Sequence, residues 1–466
     1  MKHILIGIAA ILFSILFYEQ RIGLNLSIFS LATIAILAFY NPKAFKNRYT
    51  IIHTILYIAT AIVAFMQHSY ISIIANCVAF FTLIGAVSEG KTSIYVYWLN
   101  GLYTSIAGFF HRNFEVNDDV EKVSLKKDID IIHLTKLIGI PLVFIVVFIL
   151  LYKNGNPMFN NLVSKISFEF INVQWILFCV LGYYLFSNIS KPIIVESATL
   201  ADLNTKNELV KPDDVSEEKL KKEKQLGTTL LGLLNLLIVL YIITDIASLI
   251  IGEDTSAPTL SSLVHNGIYT LIASIVIAIV IILYFFRGNL NFYTENRTLK
   301  NLTFLWIFLN IILIALIAIK NQNYITSFGL TYKRIGVHIY ILLTLAGLIT
   351  TFLKVLNIKN MVFLFRRNTQ IAFIVLILMS TINWDQTITA YNLKHANGFD
   401  VNYLINLSNR NAILLNDKKD ALSISESDKN RISTKYRTYM ITLRQRDWQE
   451  WSYENFLIED NNSNSE

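Results

Sequence analysis

The residues with the means to do chemistry stand at the ends of apolar runs. Asp245 lies in Tyr241-Ile242-Ile243-Thr244-Asp245-Ile246-Ala247, where a carboxylate needs a partner, water or a proton. His265, Arg334, His338 and Asp385 flank other apolar runs. A guanidinium opposite a carboxylate at the hydrocarbon boundary would make a partly buried ion pair fastening helix ends, so the pattern predicts Arg334 beside Asp385 or Asp245. The plain alternative for each of these residues is a solvated, headgroup-facing group. Asn235 and Asn310 fall nearer mid-run, where an amide more often bonds a neighbouring helix than a substrate.

Catalytic spacings are missing. The sequence has no phosphate-binding glycine loop, no His-Glu-x-x-His, no Gly-x-Ser-x-Gly and no Cys-x-x-Cys, which disfavours an enzyme and implies no cofactor or metal. Cys77 and Cys179 both sit inside apolar runs, so no disulfide or zinc framework is expected.

The elements that must position these groups are set by the solvent. Of 466 residues, 54% are hydrophobic and 16% charged, with a mean hydropathy of +0.49; a soluble domain is about a quarter charged. Hydrocarbon is therefore the solvent for most of the chain. The net charge of +7 comes without a basic patch interleaved with aromatics, so it is read as membrane topology and not as a nucleic-acid footprint.

A bilayer core about 30 Å thick takes about 20 apolar residues of helix. That measure predicts an all-α, polytopic transmembrane bundle of about eleven spans, near 4–18, 24–40, 51–66, 71–87, 134–152, 168–186, 229–251, 268–286, 302–319, 335–353 and 369–384. The first run resembles a signal peptide, but the second apolar run close behind it favours an uncleaved span. Residues 92–110, rich in Tyr and Trp, are expected to lie on the membrane interface.

The chain divides by polarity into 1–187, a membrane region of about six spans; 188–227, a charged cytoplasmic linker; 228–384, about five further spans; and 385–466, a small, mostly helical extracytoplasmic tail. In the linker, Glu217 with Lys221 and Glu218 with Lys222 are helix-stabilising pairs at i, i+4. The tail is too short for a large core of its own, so Trp448, Trp451, Tyr453 and Phe456 should pack on the membrane part or on each other. Its last residues, 459–466, are expected to be disordered.

Loop charge orients the bundle. The loops with Lys43, Lys46 and Arg48, with Arg287, Arg297 and Lys300, and with Lys354, Lys359, Arg366 and Arg367 should be cytoplasmic. The loop with Glu253 and Asp254 should face outward, with the N-terminus inside and the tail outside. Lys320, Lys333 and Arg334 are outside under this scheme and run against it.

Further stretches resemble a bacterial multi-pass membrane family catalogued as a domain of unknown function, of the 4153/4173 type. They are His265-Asn266-Gly267, Tyr284-Phe285-Phe286-Arg287-Gly288-Asn289-Leu290-Asn291-Phe292, Trp306 with Asn310, Ser327-Phe328-Gly329-Leu330-Thr331 with Arg334, Asn383-Trp384-Asp385 with Tyr391-Asn392-Leu393, and Asp447-Trp448 to Trp451. The resemblance implies a multi-pass protein of the bacterial cytoplasmic membrane with a small external tail. It assigns no activity; it singles out His265, Arg287, Arg334, Asn383 and Asp385 without roles. Three functions are left. A non-enzymatic envelope or regulatory protein, with the bilayer and a membrane or envelope protein as partners, is favoured. A transporter or transporter accessory subunit comes second, and a membrane enzyme acting on lipid or glycan third. The oligomeric state is not legible.

Overall fold

The computed structural model describes residues 2–115, 172–211, 216–251, 257–396 and 398–456, with short pieces of 141–159. Among the described residues the protein is all-helical. The helices are α1 Lys2–Phe17, α2 Leu24–Tyr40, α3 Arg48–Gln67, α4 Tyr70–Ser88, α5 Ile94–Glu115, α6 Val173–Ser190, α7 Glu196–Asn204, α8 Glu217–Ile251, α9 Ala257–Phe285, α10 Arg297–Phe328, α11 Tyr332–Leu356, α12 Met361–Ser380 and α13 Trp384–His395. Three more complete the tail: α14 Val401–Asn406, α15 Ala412–Lys418 and α16 Glu426–Arg444.

Seven of these are long and apolar enough to cross a membrane: α3, α4, α6, α8, α10, α11 and α12. Shorter apolar helices at His3–Phe17, Leu24–Tyr40 and Thr270–Phe285 coincide with three more expected spans. The span expected at 134–152 lies largely outside the described residues, as do the loop with Glu253 and Asp254 and the terminal 459–466. The last span differs from expectation. It begins at Met361, where Asn360 Oδ1 accepts from the Phe363 N–H at 3.0 Å, so Arg366 and Arg367 belong to its second turn and not to a loop. It ends at Ser380, and Asn383 caps α13 by accepting from the Gln386 N–H at 3.2 Å.

The chain forms two compact units. One comprises residues 1–19 and 105–191. There α1 and α6 lie against each other, with Phe13 seated over Gly182 and the Ser14 hydroxyl donating to the Trp175 carbonyl at 2.9 Å.

The other unit comprises residues 20–104 and 192–466. Its core is apolar and centred on α8 to α11, where Leu231, Ile275, Ile282, Phe286, Leu299, Ile317, Leu348 and Val355 are buried. In lipid the apolar effect does not draw helices together, so close contact and hydrogen bonds must. Accordingly α3 and α4 bury Ala61, Ala64, Ala75 and Ala79, and Asn76 Nδ2 donates to Ser30 at 3.2 Å and Thr60 at 3.3 Å.

Residues 94–104 of α5 fold back along the end of α4. Gly85 meets the Tyr97 backbone and Gly101 meets the Phe81 backbone, so close that a Cβ at either glycine would collide. Trp98 Nε1 donates to Thr82 at 2.9 Å. The other side of this segment is covered by residues 193–202: the Ile193 N–H donates to Thr104 Oγ1 at 3.1 Å and the Val195 N–H to Asn100 Oδ1 at 2.8 Å. Helix α5 is not among those apolar enough to span.

Candidate functional site

Asp385 organises a polar cluster where the tail meets the helix ends. It sits in the first turn of α13, where a carboxylate suits the helix dipole, and it is 1% exposed. Tyr332, opening α11, donates its hydroxyl to Oδ1 at 2.7 Å. Arg410, from the tail, donates Nη2 to Oδ2 at 2.8 Å, and the Ser408 hydroxyl donates to the same oxygen. Arg410 also donates Nη1 to the Gln67 carbonyl at the end of α3. Oδ2 and both ends of the guanidinium are thus spent on joining tail to helix ends, and Oδ1 on joining α13 to α11.

Supporting groups lock the tail further. Asn411 donates to Thr389 and to the Leu404 carbonyl, each at 2.9 Å. Lys435 Nζ gathers the carbonyls of Leu404, Ile405 and Leu407 at 3.3, 2.8 and 2.8 Å, and burial pulls its ammonium down to about 8 against the opposing pull of Asp385. The Leu24 N–H donates to the Trp451 carbonyl at 2.8 Å, and the Arg21 N–H to Glu450 at 2.8 Å. The tail aromatics pack both ways: Phe456 lies 5.6 Å from Trp451 and 6.1 Å from Phe65 of α3.

Beneath them Tyr439 donates to Glu454, whose carboxyl burial pushes above its ordinary value. His68, the left-handed cap of α3, is pulled down to about 4 by burial first and then by Arg446 and Arg410. Its Nδ1 is buried with no hydrogen-bond partner.

Asp245 is satisfied differently. It is 8% exposed and pairs with Lys320 of α10, while Tyr241 reaches Oδ1 at 3.5 Å. Oδ2 is buried without a hydrogen-bond partner.

The expectation for Arg334 is overturned. Among the described residues it pairs with neither carboxylate, since each already has its own cation. Instead Arg334 folds onto the end of its preceding helix, donating Nη1 to the carbonyls of Phe328, at 2.9 Å, and Gly329. Its guanidinium carbon stands 3.8 Å from the Tyr324 ring centroid. A cation at a helix C-terminus is favoured by the macrodipole. Gly329 is there because the turn needs φ +82, open to glycine at no steric cost, and Asn392 donates to the Leu330 carbonyl at 3.0 Å across the same turn.

The remaining candidates do not converge. His338 lies one turn beyond Arg334, half-buried, in no ion pair among the described residues. His265 falls on α9, but its side chain lies outside the described residues. Asn235 Nδ2 bridges to the Leu302 carbonyl of α10 at 3.0 Å, whereas Asn310 bonds Trp306 of its own helix at 2.8 Å.

A third buried aspartate, which the sequence did not single out, occupies the opposite helix ends. Asp202 of α7 is 5% exposed. It accepts from the Ser93 N–H at 2.8 Å, from the Ser93 hydroxyl at 2.6 and 2.7 Å, and from the Tyr95 hydroxyl at 2.5 Å. Arg366 of α12 completes it, with Nε at 3.1 Å from Oδ1, and donates Nη1 to Asn207 at 2.7 Å. Burial by itself would raise this carboxyl, but the Ser93 and Tyr95 donors and Arg366 together hold it below the ordinary range.

Nearby, Asn360 donates to the Lys206 carbonyl at 2.6 Å and Lys359 meets Glu208 at 3.3 Å. The motif Phe286-Arg287-Gly288-Asn289-Leu290-Asn291 proves to be a built turn. Asn291 and the fully buried Lys354 both donate to the Phe286 carbonyl, at 2.9 and 2.6 Å.

The loops therefore fall into two sets. The tail holds the ends around residues 20–24, 67–68, 329–334 and 381–395, while 89–95, 202–208 and 357–366 hold one another. Lys320 and Arg334, basic residues on the tail side, are consumed inside the protein by Asp245 and by helix-end carbonyls.

A family model described as "Domain of unknown function (DUF4153)" matches residues 5–417. The chain belongs to this family. The DUF4153 match takes in both aspartate nodes and the tail as far as α15, well beyond the stretches that carry the resemblance in the sequence. No curated protein and no solved structure matches the chain. Among the described residues of this DUF4153 protein, no group of three or more His, Cys, Asp or Glu could hold a metal.

Proposed function

We propose that this membrane protein is a non-enzymatic component of a cell envelope, with its N-terminus cytoplasmic and its tail external, and that the tail is a rigid docking cap for an envelope protein. The observation that carries the reading is Arg410, which grips Asp385 with one end of its guanidinium and the Gln67 carbonyl with the other. A partner that bound the tail would load two helix hairpins at once. Loop charge supports the orientation; of the three basic residues that run against it, Lys320 and Arg334 are taken up within the protein, which leaves Lys333.

Orientation is tested with Ser425→Cys in a chain also carrying Cys77→Ser and Cys179→Ser. An impermeant thiol reagent should label it in intact cells; labelling only after lysis overturns the external tail. Docking is tested with a photo-crosslinking residue at the exposed position of Arg437. A discrete adduct with another envelope protein, weakened by Arg410→Gln, is expected. Adducts with lipid alone, or a protein adduct indifferent to Arg410→Gln, overturn the cap.

The buried, unpartnered Oδ2 of Asp245 favours transport as a second reading. Solute or proton flux in proteoliposomes that is unchanged by Asp245→Asn would count against it.

A further inference from the structure

The Arg287 turn holds more than a fold element. Beside it, at the ends of α8 and α9, lies a cavity of about 380 Å³ lined by Ser216, Lys219, Leu220, Glu223, Phe285 and Arg287 together with the turn itself. Its floor is greasy: Leu220 and Phe285 are buried in the core cluster with Phe286 and Leu290. Its rim is charged, with Lys219 and Arg287 on one side of the balance and Glu223 on the other. Glu223 is 3.8 Å from Arg287, beyond hydrogen-bonding distance. Lys219 has no ion-pair partner among the described residues, unlike its neighbours Lys222, which pairs with Glu218 at 2.7 Å, and Lys224, which pairs with Glu295 at 3.4 Å.

The depth of the cavity decides what could fill it. Helix α8 is charged from Glu217 to Lys224 and apolar from Leu226 onward, so its first two turns stand just outside the hydrocarbon, within the headgroup layer. Tyr284 lies under the Arg287 guanidinium, 4.1 Å from the carbon to the ring centroid, and Tyr293 stands near Lys224. Tyrosines of this kind mark headgroup level. Stacking leaves the guanidinium edge, which faces Glu223 across 3.8 Å without a hydrogen bond, in position to turn its fork geometry to an anion.

We propose that this cavity seats the phosphate of an anionic phospholipid. Lys219 and Arg287 bind the phosphate oxygens, and Leu220, Phe285 and Leu290 meet the glycerol and the first carbons of the chains. The net positive rim selects an anionic over a zwitterionic lipid, and the greasy floor selects a lipid over a free phosphate. Glu223 restrains Arg287 and tempers the affinity. None of this depends on what the external tail binds, nor on which face of the membrane the cavity serves.

The test uses the full chain purified in detergent and doped with phosphatidylglycerol, phosphatidylcholine or glycerol 3-phosphate, with bound lipid read by native mass spectrometry and binding by thermal shift. Phosphatidylglycerol should be retained and should raise the unfolding temperature; phosphatidylcholine and glycerol 3-phosphate should do neither. Lys219→Gln and Arg287→Gln should each weaken retention roughly fivefold, the effect of about one basic residue at an anionic surface. Lys333→Gln, on the tail side, should leave retention unchanged. Glu223→Gln should strengthen it, a gain that a merely damaged fold would not give. Equal retention in the Lys219→Gln, Arg287→Gln double variant, or a loss on Glu223→Gln, overturns the site. Stabilisation by glycerol 3-phosphate equal to that by the lipid overturns the lipid as its ligand.

Discussion

Asp385 and Asp202 are held by the same three chemical types, a tyrosine hydroxyl, a serine hydroxyl and an arginine, yet they join different things. The donors to Asp202 come from residues 93–95 and from α12, so this node ties α7 and the start of α5 to α12. The donors to Asp385 come from α11 and from residues 408–410 of the tail, so this node ties on a segment with little core of its own. Asp202 also takes a backbone N–H, which no side-chain substitution removes. Arg366 is 18% exposed and Arg410 10%, so water can relieve a broken Asp202 pair more readily than a broken Asp385 pair. The comparison teaches that one pairing chemistry serves as an internal brace at one end and as an anchor at the other.

The largest effect should therefore follow Arg410→Gln. Stranding Asp385 in a dry site should cost about 3 to 5 kcal/mol, read as thermal or denaturant unfolding of the detergent-solubilised protein. Asp385→Asn in addition should recover part of the loss. A cost no larger than that at the Asp202 node would break the comparison.

Arg366→Gln should cost less, about 2 to 3 kcal/mol, because the Ser93 and Tyr95 donors still satisfy Asp202. Limited proteolysis should then cut within residues 196–211, whereas Arg410→Gln should expose the tail.

Acidity should sharpen the contrast further, through His68. Its folded value, about 4, lies below the unfolded 6.5, so between these the unfolded chain binds more protons and stability rises with pH. The contribution is complete above about pH 6.5 and is lost as pH falls toward 4. Glu454, raised by burial, acts with the opposite sign, so the measurement is the difference in unfolding temperature between the wild type and His68→Gln across this range. The wild type should lose ground to the variant as the pH falls, so that the difference, wild type minus variant, shrinks with acid; a constant difference would mean that His68 is not buried against Arg410 and Arg446.

The smallest effect tests the corrected role of Arg334. A double-mutant cycle of Arg334→Gln with Asp385→Asn should be additive within about 0.5 kcal/mol, while Arg410→Gln with Asp385→Asn should couple by about 0.5 to 3 kcal/mol. Equal coupling in the two cycles would restore Arg334 to the Asp385 node.

How much was legible beforehand varied with the residue. Asp385 stood out because it is a lone acid directly after an apolar run. Asp202 did not, because it lies in a stretch already full of Asp, Glu and Lys, where composition distinguishes no member. Arg410 could have been noticed as a cation among Leu404, Leu407, Ile413 and Leu414, but nothing nearby tells what it grips. Arg334 was noticed for the right reason and given the wrong partner, since a helix-end carbonyl can spend a cation as well as a carboxylate can.

By itself the sequence determined the helical class, the embedding in a membrane, most of the helix positions and the family resemblance. Hydrocarbon thickness and the absence of water act on each run separately, so those properties are local and can be read along the chain. Only the tertiary structure decided the pairs. Asp385 and Arg410 are 25 positions apart, Asp245 and Lys320 75, Asp202 and Arg366 164, and apolar helices of similar length do not declare which of their neighbours they will touch. In a solvent that draws no helix toward another, side-chain volume and hydrogen-bond geometry choose the partners, and those exist only once the helices have met.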